Sequence, residues 1–253
     1  MAITLFDGAD HANIWLEDLD LGEAVQANQH MIIHGREAML LDPGGPKTFR
    51  HAYPEALSLL GHAKITRLFL SHQDPDIVAA LNPWLASTNA IAHVSRLWMR
   101  FLPHFGLDRV MAQACHPIPD EGGVLDLDGA ELIVIPAHYL HSAGNFQVYD
   151  PTSKILYSGD LGASFGNDYH EVTDFDRHLE HMAGFHRRYM ANATAVSRWA
   201  ALARQLDIEI IAPQHGACLR GRELVARFID WCDGLPCGTD LLEPYAMPTT
   251  RLN

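Results

Sequence analysis

The chain is poor in positive charge. Its 18 lysines and arginines stand against 31 aspartates and glutamates, a formal charge of -13. A surface of that sign repels phosphate backbones, which excludes nucleic acid as an expected partner. No apolar run approaches the ~20 residues of a membrane span, and "MAITLFDGAD" has neither a basic start nor a small-residue cleavage site. The expectation is a soluble cytoplasmic protein with no membrane partner. Cysteine is scarce as well. Cys115, Cys218, Cys232 and Cys237 are too few and too scattered for a disulfide framework, and the spacing of the last two matches no redox motif, so all four read as reduced thiols. Low-complexity linkers and fixed-period repeats are absent, which leaves one domain over residues 1–253.

What is present is histidine, 16 of them, in a chain that is 48% hydrophobic and long enough to bury a sizeable core. The N-terminal third reads as strands, "NIWLED", "VQANQHMIIHG" and "EAMLLDPGG", the last closed by the Asp42-Pro43-Gly44-Gly45 turn signal. Residues 47–61 have helical spacing and stop at Gly61. The strand "ITRLFL" precedes a helix through "IVAALNPWLAS", and the strand "AIAHV" precedes a helix over "SRLWMRFLPHFG". "VLDLDGAELIVIPA", "NFQVYD" and "KILYSGD" read as strands, followed by helices near 174–187 and 194–206, the strand "IEIIAP" and a last helix over "ELVARFIDWCDG". Strands dominate each half and helices follow them, the pattern of an α/β protein with two packed sheets and helices outside.

Four segments share one design, in which an apolar strand stops and a His or Asp stands at its end: "LFLSHQDPD", "LIVIPAHYLHS", "ILYSGD" and "IEIIAPQHG". Strand ends at one sheet edge lie close in space, so His72, Asp74, Asp76, His141, Asp160 and His215 are candidate metal ligands. Three imidazoles and three carboxylates exceed one four-coordinate ion and suit two metals that share a bridging carboxylate. Asp160 is the natural bridge, since a carboxylate offers two oxygens and an imidazole one free nitrogen. The affinity order favours zinc or copper at such sites, while exchanging imidazole for carboxylate makes the set harder and leans toward iron or manganese.

The order and wording of these motifs resemble the metallo-β-lactamase fold, an αββα four-layer sandwich. Hydrolases of that superfamily carry H-x-H-x-D-H at the first motif; here Asp74 replaces the second His and Ile77 the last. An acidic third position resembles the flavodiiron proteins, and "HQDPDI", "PAHYLHSAGNF", "YSGDLGA" and "APQHG" are similar to the oxygen-binding diiron domains related to them. That resemblance implies two non-haem iron ions. His72, Asp74, His141 and one oxygen of Asp160 would hold the first, and Asp76, His215 and the other oxygen the second. Ile77 stands where a second-metal histidine would be, which implies an open coordination position walled by hydrocarbon. Flavodiiron proteins draw electrons from a flavodoxin domain. No Gly-rich or Ser/Thr-rich phosphate loop is present here, so no built-in flavin is expected.

The resemblance thus implies a diiron protein that binds dioxygen, or nitric oxide, as a sensor, carrier or slow reductase. As an enzyme it would be a flavodiiron-like oxidoreductase rather than a hydrolase. The alternatives are a dinuclear metallo-β-lactamase-type hydrolase and a reductase supplied by a separate flavoprotein or rubredoxin-like donor. An electron-donor or signalling protein is the macromolecular partner expected. Other residues carry weaker readings. His30 and His34 flank a buried strand, with His30 a candidate to hang over the metals and His138 a candidate to support His141. His178 and His181 share a helix face, which reads as a solvated or interdomain face rather than as a ligand pair. His93 and His104 read as structural or surface. Phe146, Trp98, Phe101 and Phe105 are candidates for an apolar pocket wall, with core packing as their default.

Overall fold

In "EAMLL" every second side chain must face the same way, because strand residues alternate between the two faces of a sheet. Ala38 and Leu40 join one core layer, and Met39 and Leu41 join another. A strand apolar on both faces needs a layer on each side, and that requirement organises the molecule. The computed structural model describes residues 2–16, 25–107 and 112–251. Its first sheet runs in chain order, β1 (Ala2–Asp7), β2 (His11–Leu16), β3 (Gln29–His34), β4 (Glu37–Leu41), β5 (Lys64–Phe69), β6 (Ile91–Ser95) and β7 (Cys115–Ile118). The second comprises β8 (Gly123–Leu127), β9 (Ala130–Pro136), β10 (Phe146–Asp150), β11 (Ile155–Gly159), β12 (Ile210–Pro213) and β13 (Leu219–Arg220), in the order β13-β12-β11-β10-β9-β8.

Helices α1 (Pro46–Leu59), α2 (Pro75–Val78) and α3 (Leu81–Thr88) cover the first sheet through Ala52, Ala56, Leu81 and Trp84. Helices α4 (Phe175–Tyr189), α5 (Ala193–Ala203) and α6 (Arg222–Cys232) cover the second through Met182, Trp199 and Phe228. The two sheets close on each other through Trp15, Phe69, Phe146 and Tyr157. This is the αββα order expected of the chain. No helix among the described residues is long and apolar enough to cross a membrane.

Several local expectations needed correction. The helix through "IVAALNPWLAS" is two, because Ala80 donates its N–H to the Gly44 carbonyl instead of continuing the ladder. "SRLWMRFLPHFG" forms a 3-10 segment, Met99–Phe105, which contains Pro103 and so lacks one N–H donor. "VLDLDGAELIVIPA" folds into a hairpin, since Asp128 and Gly129 both take positive φ, as a tight two-residue turn demands.

Strand direction places the candidate ligands. β11 is parallel to β12, and β9 runs the same way as β11 because both are antiparallel to β10. Their C-terminal ends therefore share one edge of the second sheet. Two main-chain bonds join that edge to the first sheet's segments: Phe146 N–H to the Ser71 carbonyl at 2.9 Å and Asn28 N–H to the Gln214 carbonyl at 2.6 Å.

Candidate metal centre

The chain leaves β5 through Leu70 and Ser71 and delivers His72, Asp74 and Asp76 around the turn that opens α2. Pro75 at the first helical position needs no N–H partner and has φ preset for the turn. His141 lies in the loop after β9, which buried Asn145 holds by donating its side-chain N–H to the Leu140 carbonyl. Asp160 directly follows β11, and His215 follows β12 by two residues. Next to His215, Gly216 takes φ +76, and a Cβ there would meet the Ser164 carbonyl oxygen at 2.4 Å, so only glycine allows this approach.

The six side chains converge. His72 Nε2 and His141 Nε2 are 3.1 Å apart, and the donor atoms of His72, Asp74 and His141 lie within 4.8 Å of one another. Asp74 Oδ2 is 3.2 Å from His141 Nε2 and 3.6 Å from His72 Nε2. Asp76 Oδ2 is 3.4 Å from His215 Nε2. Asp160 stands between these groups, with Oδ2 3.3 Å from His141 Nε2 and Oδ1 3.6 Å from His215 Nε2. Asp160 is 4% exposed, and its Oδ1 has no hydrogen-bond partner. A buried carboxylate oxygen without a donor is costly unless a cation completes it.

Burial pulls the His72 imidazole pKa down, but the carboxylates of Asp160, Asp74 and Asp42 override it and raise the value to about 9. Asp74 behaves conversely: burial pushes its pKa up, and His141 and His72 hold it below the usual carboxylate range. The metal-free cluster thus keeps a proton where a cation would compete.

Outer contacts orient the ring nitrogens. His72 Nδ1 lies 3.0 Å from Ser71 Oγ, and the Ser71 N–H donates to Asp42 Oδ1 at 2.8 Å. Burial raises the Asp42 carboxyl to about 6 despite this bond. His215 Nδ1 donates to the Gln26 carbonyl at 2.5 Å. Gln73 donates to Asp74 and Gln214 to Asp76. In the sequence Asp42 reads only as part of a turn, although "EAMLLD" repeats the design of an apolar strand ending in a carboxylate. Gln26, Gln73 and Gln214 carried no sequence signal.

Residues expected nearby lie elsewhere. His30 does not hang over the cluster. Its ring is buried between Trp15 and Tyr157, with Nε2 3.2 Å from the Pro213 carbonyl. His138 donates from Nε2 to the Asp120 carbonyl at 2.8 Å and packs on Phe146 rather than on any of the six candidate ligands. Phe146 is inter-sheet core, Trp98 and Phe105 pack on the outer core of the first sheet, and Phe101 is partly exposed. The aromatic wall of the cleft is instead Phe165, Phe185 and Tyr189. His178 is buried, not solvated, with Nδ1 2.9 Å from the Tyr169 hydroxyl, while His181 donates to the Phe165 carbonyl at 3.0 Å.

Ile77 is fully buried in the core under α1 to α3 and is not among the residues that line the cleft. Ile77→His is therefore expected to place a polar ring in apolar packing and to cost about 1–3 kcal/mol. Thermal melts of the metal-free variant measure this cost. A folded Ile77→His protein that retains metal more tightly than wild type would show that position 77 reaches the cluster.

Comparison with known proteins places this geometry. Residues 25–216 match the model described as ODP family beta lactamase. The chain is similar to chemotaxis sensor ODP in a structure described as its peroxy diiron species, at 40% identity and TM-score 0.85, over 95% of this chain and 97% of that one. It is similar to the apo state of that sensor from T. denticola at 39% identity and TM-score 0.84, over 95% and 97% of the two chains. The metal-soaked Flv1 flavodiiron core from Synechocystis sp. PCC6803 shares the fold, with TM-score 0.71 at 19% identity over 91% of this chain and 60% of that one. Diflavin flavoprotein A 1 of Synechocystis sp. is 28% identical over 216 residues, 80% of this chain and 36% of that protein, so the chain spans about a third of the length of the curated relative it matches. Two sheets inside two helical layers, six ligand-type side chains at one edge and a family match over most of the chain lead to one assignment: the chain belongs to the ODP family of beta-lactamase-fold proteins.

Proposed function

We propose that the chain holds two iron ions at this cluster and binds dioxygen there as a sensor, with nitric oxide as a second diatomic ligand of the same position. The observation that carries this reading is Asp160, a buried carboxylate whose partnerless Oδ1 faces His215 while Oδ2 faces His141. That placement suits one oxygen to each of two cations. The donor set fits a pair of dications, since three imidazole nitrogens and three carboxylates supply charge and lone pairs that suit iron or manganese, and similarity to a sensor described as a peroxy diiron species supports iron. His72, Asp74, His141 and Asp160 would hold one ion, and Asp76, His215 and Asp160 the other. A ferrous pair, when bound, would supply two electrons.

The chain's own residues set the conditions around that chemistry. Ser71 and the Gln26 carbonyl fix the ring orientations of His72 and His215, and Gln73 and Gln214 restrain the carboxylates. Phe165, packed 5.2 Å from the His215 ring, and Phe185, 6.0 Å from the His141 ring, exclude water from one side. Similarity to a protein described as a chemotaxis sensor supports sensing over turnover.

Metal analysis of anaerobically purified protein is expected to give two irons per chain, and a charge-transfer absorption band should appear when air is admitted. Tight zinc binding, rapid ester hydrolysis and no spectral response to oxygen would replace this reading with the dinuclear hydrolase.

A further inference from the structure

The cleft over the cluster is far larger than a diatomic gas requires. Its volume is about 1120 Å3, the scale of sites that hold drug-sized organic molecules, whereas a molecule of water's size takes roughly 30 Å3. One wall is flat and apolar: Phe185 and Tyr189 stack with centroids 4.7 Å apart and planes 21° apart, and Phe165 meets Phe185 at 5.3 Å. Tyr189 remains 53% exposed at the mouth. The start of α1, Gly45 to Thr48, also lines the cleft. Gly45 has no capping side chain and the first turn has no acidic residue, so the positive end of this 14-residue helix is not neutralised.

Two cations complete the lining, Lys47 and Arg188. Both are exposed, and neither has a hydrogen-bond or ion-pair partner among the described residues. Their charge is therefore free to meet a ligand, whereas Arg67, Arg204, Arg220, Arg222 and Arg227 are each held by a carboxylate outside the cleft. We infer that the cleft binds a small organic anion with a flat apolar body. The body lies on the Phe185–Tyr189 stack, and the anionic end meets Lys47, Arg188 and the α1 N-terminus. The inference rests on the metal reading in one respect: two dications turn the floor from a net charge of three carboxylates to a positive one, so metal should tighten the anion.

The test uses the full chain, metal-free and ferrous-loaded under argon, with two fluorescent probes of like shape. 1-Anilinonaphthalene-8-sulfonate carries the charge, and N-phenyl-1-naphthylamine lacks it. The sulfonate is expected to saturate at one per chain, more tightly with metal. Lys47→Gln/Arg188→Gln should weaken it at least tenfold and leave the neutral probe unchanged, while Tyr189→Ala should weaken both. 2-Naphthoate should displace the sulfonate, and inorganic phosphate at equal concentration should not. Unchanged sulfonate affinity in the double variant, equal binding of the two probes by wild type, or displacement by phosphate alone would overturn the inference. Circular dichroism confirms that each variant is folded. Metal content, read on the same samples, reports separately on the diiron reading, and the comparison of wild type with the double variant keeps its meaning in metal-free protein.

Discussion

Asp160→Asn is expected to strip at least one metal ion from the chain while leaving the fold in place. The substitution keeps the shape of the side chain and removes its charge, at a position 4% exposed where one oxygen faces His141 and the other faces His215. Two dications that share a site repel each other by on the order of 10 kcal/mol even when partly screened, and the carboxylate between them is the group best placed to offset it. Loss of an outer support alone costs metal sites 10–100-fold in affinity, so loss of the bridge should exceed about 100-fold. Metal per chain after dialysis, with circular dichroism as the check on folding, measures this. A second readout needs no metal. Burial lowers the His72 pKa, and Asp160 is the strongest influence raising it to about 9. In metal-free Asp160→Asn, the His72 titration seen by NMR should move to lower pH. Full occupancy of both sites, with an unmoved His72, would remove Asp160 from the bridging role.

Below pH 6.5 the metal-free protein is expected to lose stability steeply. Burial lowers the imidazole pKa of His30, His178 and His186 from 6.5 to about 4, and these rings are at most 4% exposed. Between those values the unfolded chain binds protons that the folded chain does not, so stability is full above pH 6.5 and falls as pH drops toward 4. Each ring accounts for roughly 3 kcal/mol over that window, since one pKa unit is about 1.4 kcal/mol. Asp42 opposes one of them. Burial raises its carboxyl to about 6, so between its unfolded value of 3.8 and 6 the folded chain keeps a proton that the unfolded chain releases. Burial, with the charges of Arg67 and His116, lowers His93 to about 4 as well, so four against one leaves a net uptake of about three protons on unfolding, or roughly 3–4 kcal/mol per pH unit near pH 5. That is a large share of the stability of any domain. On the alkaline side the sign reverses. His72, raised to about 9, contributes fully below 6.5 and its contribution is lost as pH climbs through 9. Urea unfolding of metal-free protein from pH 4.5 to 9 should therefore show a maximum near neutrality. A slope under about 1 kcal/mol per pH unit at pH 5, or histidine titrations grouped near 6.5, would show that these rings are charged when folded.

How much of this was legible beforehand depends on the range over which each signal acts. Strand alternation and turn residues are local, so "ITRLFL" running into His72, or "ILYSG" into Asp160, could be read directly, and so could the two-sheet architecture. The convergence of the six ligand-type side chains was also legible, because each follows the end of an apolar strand and those strand ends, from both sheets, meet at one edge of the sandwich. Which groups surround them was not. The wall of Phe165, Phe185 and Tyr189 comes from α4 and the loop before it, and their meeting with His141 and His215 depends on how one layer docks on the next. His30 illustrates the opposite outcome. Its place on β3 suggested the cluster, but strand parity turns its ring toward Trp15 and Tyr157 between the sheets. Ile77 follows Asp76 in sequence, yet one step along a helical turn rotates a side chain by about 100°, and tertiary packing sends it into the core under α1 to α3. The chain thus declared its ligand types, their order and their strand ends by itself. Layer docking and helix rotation, which have no local sequence signature, decided which side chains face the cleft.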